Sequence, residues 1–160
     1  MKKRYYIAYG SNLNITQMRI RCPKARIIGT AVVPDYELLF KGSKTGSYLT
    51  IEPKRGSNVP VAVWETTASD EASLDRYEGF PTFYYKKEMK LPIVGIKTGK
   101  ERNRNVYVYI MHEDRPIGIP SAHYIDTCMI GYMTFGFDME ILHEALKKSW
   151  KECYEKGKKN

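Results

Sequence analysis

Two stretches of this chain carry residue types that scaffolding alone does not call for. The first is Tyr9-Gly10-Ser11-Asn12-Leu13, placed after a strand-like run and before a helical one. A strand that passes through a Gly-led turn into a helix start bares several backbone N–H groups toward one point. Such a cluster holds a carboxylate or steadies a developing oxyanion. Gly10 permits close approach because it has no side chain in the way. The same residues are good turn formers, and Asn12 or Asn14 could do no more than cap the helix that follows.

The second is Glu78, in Asp75-Arg76-Tyr77-Glu78-Gly79-Phe80-Pro81. A helix running from Asp70 to Glu78 puts Glu78 one turn beyond Leu74, on the face turned toward the core. Glu71 and Asp75 fall a turn apart on a different, solvated face. Glu78 also occupies the last turn, where open carbonyls and the helix dipole oppose a negative charge. Partial burial and the dipole both raise a carboxyl's pKa, toward the range useful for moving protons near neutrality. The alternative is a carboxylate pointing outward from a frayed helix end.

Other chemistry-bearing residues carry less. Tyr77, Tyr84 and Tyr85 crowd around Glu78, but the chain has 13 Tyr. His112-Glu113-Asp114 are adjacent on a strand end and so point in different directions, which argues against a metal site. Cys22, Cys128 and Cys153 form no C-x-x-C pair, and the three histidines are scattered. No disulfide framework, zinc site or other metal is expected, and a reducing, cytoplasmic setting fits best. Trp64 and Trp150 read as core. Phosphate-loop, dinucleotide and serine-hydrolase signatures are absent from the sequence.

The elements that must hold these residues follow from pattern. Lys3–Tyr9, Arg26–Val33, Tyr36–Lys41, Ser47–Glu52, Val61–Thr66, Phe83–Leu91 and Asn105–Met111 are short runs rich in β-branched and aromatic residues. Pro34-Asp35 and Lys54-Arg55-Gly56-Ser57-Asn58 read as turns between them. Helical spacing occurs over Ile15–Arg21, from a Ser69-Asp70 cap to Gly79, from Ser121 to about Gly136, and from Asp138 onward. In the last, Leu142, Ala145, Leu146 and Cys153 share one stripe. Many short strands with helices late in the chain predict an α+β fold built on a closed or strongly curved sheet.

With 160 residues, 42% of them hydrophobic and 28% charged, the chain is expected to form one globular domain, residues 1–156, with a basic tail at 157–160. Its net charge of +8 sits at the ends, on Lys2, Lys3, Arg4 and the six Lys of residues 147–160. The body between is close to neutral, so no nucleic-acid partner is expected. No apolar run nears the ~18–20 residues of a membrane helix. The apolar stretch behind Lys2-Lys3-Arg4 ends at Gly10, which predicts neither membrane insertion nor export by a secretory signal.

Taken together, Ile7-Ala8-Tyr9-Gly10-Ser11-Asn12-Leu13 and the downstream Leu74-Asp75-Arg76-Tyr77-Glu78-Gly79-Phe80-Pro81-Thr82-Phe83-Tyr84 resemble the gamma-glutamylcyclotransferase-like family. That family shows an N-terminal YGSNL loop and a helix-ending E-G-x-P-x-x-Y. Pro120-Ser121-Ala122-His123-Tyr124, with Gly131 and Gly136, is similar to a third segment of its glutathione-cycle members. The likeness spans residues 4–146.

The resemblance implies a small mixed or curved β-barrel of about six or seven strands, flanked by helices. It implies an enzyme, of lyase or acyltransferase type, that needs no metal or cofactor. Its reaction would release 5-oxoproline from a gamma-glutamyl amino acid, peptide or amine. Tyr9, Gly10, Ser11, Asn12 and Leu13 would bind substrate, Glu78 would be the acid/base residue, and Tyr84 would line the pocket. The Tyr84-Tyr85 doublet leaves open which ring faces inward. Lys86 stands where several relatives carry Arg, and an ammonium cannot make a bidentate guanidinium contact. The competing reading is a non-catalytic, small-ligand-binding domain of the same fold. Which gamma-glutamyl compound is used, and the oligomeric state, are open at this level.

Overall fold

A computed structural model describes residues 2–43 and 46–158. Its strands are β1 (Arg4–Ala8), β2 (Arg26–Ser43), β3 (Gly46–Thr66), β4 (Tyr84–Gly95) and β5 (Glu101–Met111). They close into a barrel in the order β1-β3-β2-β4-β5. All neighbours run antiparallel except β1 and β5, which pair in parallel through Tyr5↔Val106 and Tyr6↔Tyr107. Around the barrel lie α1 (Ile15–Arg21), α2 (Ala68–Glu78), α3 (Ala122–Phe135) and α4 (Met139–Lys158), with one turn of 3-10 helix at Ser11–Leu13. The expected mixed barrel flanked by helices is therefore what the chain forms. The expected boundary at residue 156 falls within α4, and residues 159 and 160 lie outside the described residues.

Five strands replace the expected set because two pairs of short runs are each one long strand. Pro34-Asp35 does not end β2. Pro34 pairs with Asn58 and Tyr36 with Pro53, so residues 54–57 of β3 stand opposite Asp35 alone. Asp35 adopts φ 59° and its Oδ1 accepts the Gly56 N–H at 2.9 Å. Pro, Asp and Gly mark a bulge here, which bends a strand as the barrel closes without terminating the ladder.

Helix boundaries follow their caps. Asn14 accepts the Gln17 N–H at 3.1 Å to start α1, and Ser121 accepts the Tyr124 N–H at 3.1 Å to start α3. α2 begins earlier than the Ser69-Asp70 signal suggested. Thr67 is its cap, and Asp70 instead reaches back to the Thr67 N–H at 2.9 Å in a reciprocal capping box. The helix ends where Gly79 turns left-handed at φ 64°.

The core fills the barrel and the seams beneath the helices, with Ile7, Val61, Val63, Trp64, Leu74 and Val108 fully enclosed. Trp150 does not join it. α4 buries Leu142, Ala145 and Ser149, and Trp150 falls on the neighbouring face, 57% exposed. Glu71 and Asp75 are likewise not the solvated pair that helical spacing suggested. Lys86 of β4 lies 2.7 Å from Glu71 and 2.9 Å from Asp75, Arg4 of β1 contacts Glu71 at 2.8 Å, and Tyr109 donates to Asp75 at 2.6 Å. Three strands thus tie down the helix that ends in Glu78. Among the described residues, no helix is long and apolar enough to cross a membrane.

Candidate active site

The 3-10 turn and the C-terminal turn of α2 meet at one mouth of the barrel. They share a cavity of about 460 Å³ whose lining includes Tyr9, Gly10, Ser11 and Asn12 from the loop, Glu78 from α2 and Tyr84 from β4. The tertiary structure thus brings together all but one of the residues singled out from the sequence. Leu13 is the exception. It is fully buried, absent from the cavity lining, and its N–H goes back to Gly10 O at 3.0 Å.

Glu78 lines the cavity and is half-buried, with protein packed around most of its side chain. That enclosure strips solvent from the charged form and pushes its pKa up to about 8, against the opposing pull of the Arg21 guanidinium. The phenols facing it stay neutral. Burial raises Tyr6, Tyr9 and Tyr84 well above the ordinary range, and the Glu78 charge adds to the effect on each.

The loop is held from below and from the side. Asn12 does not cap α1, since Asn14 does that. Its Nδ2 instead donates to Tyr6 Oη at 2.9 Å, and its Oδ1 accepts from Arg21. Tyr9 donates to the Tyr109 carbonyl at 2.7 Å. With Asn12 and Tyr9 anchored inside, the first N–H groups of the 3-10 turn have no acceptor one turn earlier.

Arg21 was not visible as a site residue. Its guanidinium carbon sits over Tyr77, 3.5 Å from the ring centroid, while it donates to Asn12. Tyr77 in turn shares a 3.1 Å hydrogen bond with Ser11. One side chain from α1 therefore clamps the loop to the α2 turn that carries Glu78. Nothing in its helical position, at the polar C-terminal end of α1, signals this.

The Tyr84-Tyr85 doublet is resolved by strand alternation. Tyr84 is buried, lines the cavity and donates to Leu49 O at 2.8 Å. Tyr85 faces away and donates to Glu113. His112 contacts Pro81 O through Nε2 at 2.8 Å, so His112 and Glu113 engage separate partners. Lys86 binds α2 from the strand, as two ion pairs of an ammonium.

α3 closes the site from above, and Gly131 sets how near it comes. A Cβ at that position would stand 2.5 Å from Leu13 Cβ and 2.8 Å from the Leu13 carbonyl carbon. Gly131→Ala must push helix and loop apart. We expect a loss of about 1–3 kcal/mol in stability, read as a lower urea midpoint at unchanged slope.

Comparison with known proteins bears on this geometry. Residues 6–126 match the family described as "Gamma-glutamyl cyclotransferase, AIG2-like". The chain is similar to human gamma-glutamylcyclotransferase, 33% identical over 150 residues that cover 89% of this chain and 76% of that protein. The bovine gamma-glutamylcyclotransferase is 32% identical over 145 residues, covering 84% and 73%. A solved structure named gamma-glutamyl cyclotransferase superposes with a TM-score of 0.76 at 29% identity, covering 91% of this chain and 87% of that one.

Proposed function

This chain belongs to the gamma-glutamyl cyclotransferase, AIG2-like family, and from that premise we propose that it releases 5-oxoproline from a gamma-glutamyl amino acid, peptide or amine. The observation that carries the proposal is that a single cavity is lined by the Tyr9–Asn12 loop and by a carboxyl whose pKa stands near 8.

The reaction makes three demands. The substrate must fold so that its α-nitrogen meets its own γ-carbonyl carbon, and holding that conformer supplies much of the rate because the attack is intramolecular. The α-nitrogen must lose protons, since an ammonium has no free pair. The departing nitrogen must gain them. In balance, the α-ammonium gives up two of its three protons as the C–N bond of the ring forms. The leaving nitrogen takes both as the amide bond breaks, and no water is consumed.

Glu78 would carry those protons. Its pKa of about 8 stands far nearer the range of an ammonium than an ordinary carboxyl does, so proton transfer between the two is much less uphill. Backbone N–H groups of Gly10–Asn12 would receive the substrate carboxylate or the oxyanion of the tetrahedral intermediate. Tyr84, with its hydroxyl committed to Leu49 O, would line the pocket with its ring. Leu13 would serve by packing. No step calls on a metal or cofactor. A free small-molecule substrate and three free cysteines agree with a cytoplasmic enzyme.

The test is direct. Purified protein incubated with gamma-glutamyl dipeptides and gamma-glutamylamines should yield 5-oxoproline and the free amine in equal amounts. Tight binding of 5-oxoproline with no turnover of any compound would instead establish the non-catalytic reading.

A further inference from the structure

Beside the loop and the Glu78 turn, one wall of the cavity is built of rings from three elements: Tyr48 of β3, Phe83 from the α2–β4 connection and Tyr124 of α3. Tyr48 stands edge-on to both of the others, with centroids 6.4 Å from Phe83 and 5.2 Å from Tyr124. At 40% exposure, Tyr48 marks the mouth, where a leaving group would extend.

Phe83 and the ring of Tyr124 present carbon. Tyr124 Oη accepts the Leu49 N–H at 3.0 Å and Tyr84 Oη donates to Leu49 O at 2.8 Å, so both hydroxyls are engaged by one peptide residue. Arg76 is the cation among the described lining residues, and Arg115, outside the lining, stands against Phe83 with its guanidinium carbon 4.9 Å from the ring centroid. The Asp75 carboxylate is taken up by Tyr109 and Lys86. Glu78 is the single carboxyl among the described lining residues, and the chemistry already occupies it.

An aromatic wall with the Arg76 guanidinium in the same lining suits a leaving group that is apolar in its side chain and anionic at its terminus. It opposes a second cation, such as the free end of a diamine. Resting on the cyclotransferase reading, we propose that this wall forms an acceptor subsite that selects gamma-glutamyl α-amino acids with bulky apolar or aromatic side chains, over glycine and over diamines. Burying such a side chain against the rings raises kcat/KM by ~10–100-fold relative to one that leaves them uncovered.

The experiment compares kcat/KM for gamma-glutamyl-phenylalanine, gamma-glutamyl-leucine, gamma-glutamyl-glycine and gamma-glutamyl-1,4-diaminobutane. Phenylalanine and leucine should lead, and Tyr48→Ala and Phe83→Ala should each compress the phenylalanine-to-glycine ratio by ~5-fold or more. A flat profile, or one led by glycine or the diamine, overturns the acceptor subsite while leaving the cyclotransferase reading intact. A panel with no 5-oxoproline at all overturns that reading, and the subsite falls with it.

Discussion

Glu78→Gln lowers the rate of 5-oxoproline release by ~10²–10⁴-fold, the worth of a positioned proton carrier, while the protein stays folded. The amide is nearly isosteric with the carboxyl and can occupy the same enclosure, but it can neither take a proton from an α-ammonium nor return one. Wild-type kcat/KM should fall on the acid side with an apparent pKa near 8, the value that burial gives Glu78. The residual rate of the variant should no longer follow the Glu78 ionisation and should instead track that of the substrate's own α-ammonium. Full retention of rate would remove Glu78 from the mechanism.

The same substitution has a stability signature of fixed sign. Glu78 binds its proton more tightly in the folded protein than in the unfolded chain, where the pKa is the ordinary 4.5. Between 4.5 and about 8 the folded state therefore holds more protons, and its stability falls as pH rises through that window. Glutamine does not ionise, so the variant escapes this loss. Thermal unfolding at pH 9 should show Glu78→Gln more stable than wild type, with the difference closing at pH 4. A side chain that merely frayed into water would show neither the gain nor its pH dependence.

Arg21 carries the second large effect. It is expected to act as a positioning residue, because it joins Asn12 of the loop to Tyr77 of the α2 turn and its charge opposes the effect of burial on Glu78. Arg21→Met removes both functions. Loop and carboxyl are then held less closely, and a misplacement on the order of 1 Å costs up to ~10²-fold in rate. The acid limb of kcat/KM should also move to higher pH, since a cation that favours the carboxylate is gone. Tyr6, Tyr9, Tyr77 and Tyr84, which face Glu78 from β1, the loop, α2 and β4, are held neutral by burial and do not replace that charge.

Arg21→Lys separates the two contributions. An ammonium restores positive charge and should return the limb toward its wild-type position. It cannot cover the Tyr77 ring while donating to Asn12 and Gln17 from two separate nitrogens, so the rate stays low. An unmoved limb in Arg21→Met would leave Arg21 as packing alone.

Much of the local frame was legible from residues read in order. Ser121 and Gly136 bound a helix where the pattern put them, and of the two caps open for the first helix, Asn12 or Asn14, Asn14 serves. Glu78 stood out because it ends a helix at Gly79 with its side chain a turn beyond buried Leu74. Caps, turns and helical faces arise from contacts within about one turn of chain, and nearby residue types carry that information. Where two local signals competed, the nearer partner decided, as when Asp70 closed a capping box on Thr67 and did not cap the helix itself.

Closure of the barrel decided the rest. Pro34-Asp35 and Lys54–Asn58 carry turn residues, but the ladder on either side of them continues, so they bend strands and do not end them. Strand alternation turned Tyr84 inward and Tyr85 out. Ion pairs from Lys86 and Arg4 gave Glu71 and Asp75 partners that their helical spacing had hidden. The loop, Glu78, Arg21 and the Tyr48–Phe83–Tyr124 wall come from segments distant along the chain and meet only through the register of β1, β3, β4 and β5. The chain alone thus determined which residues could do chemistry and the turns that hold each one. The burial that raises Glu78, and the neighbours that tune it, belong to the tertiary structure, because desolvation depends on everything packed around a group and not on the residues bonded beside it.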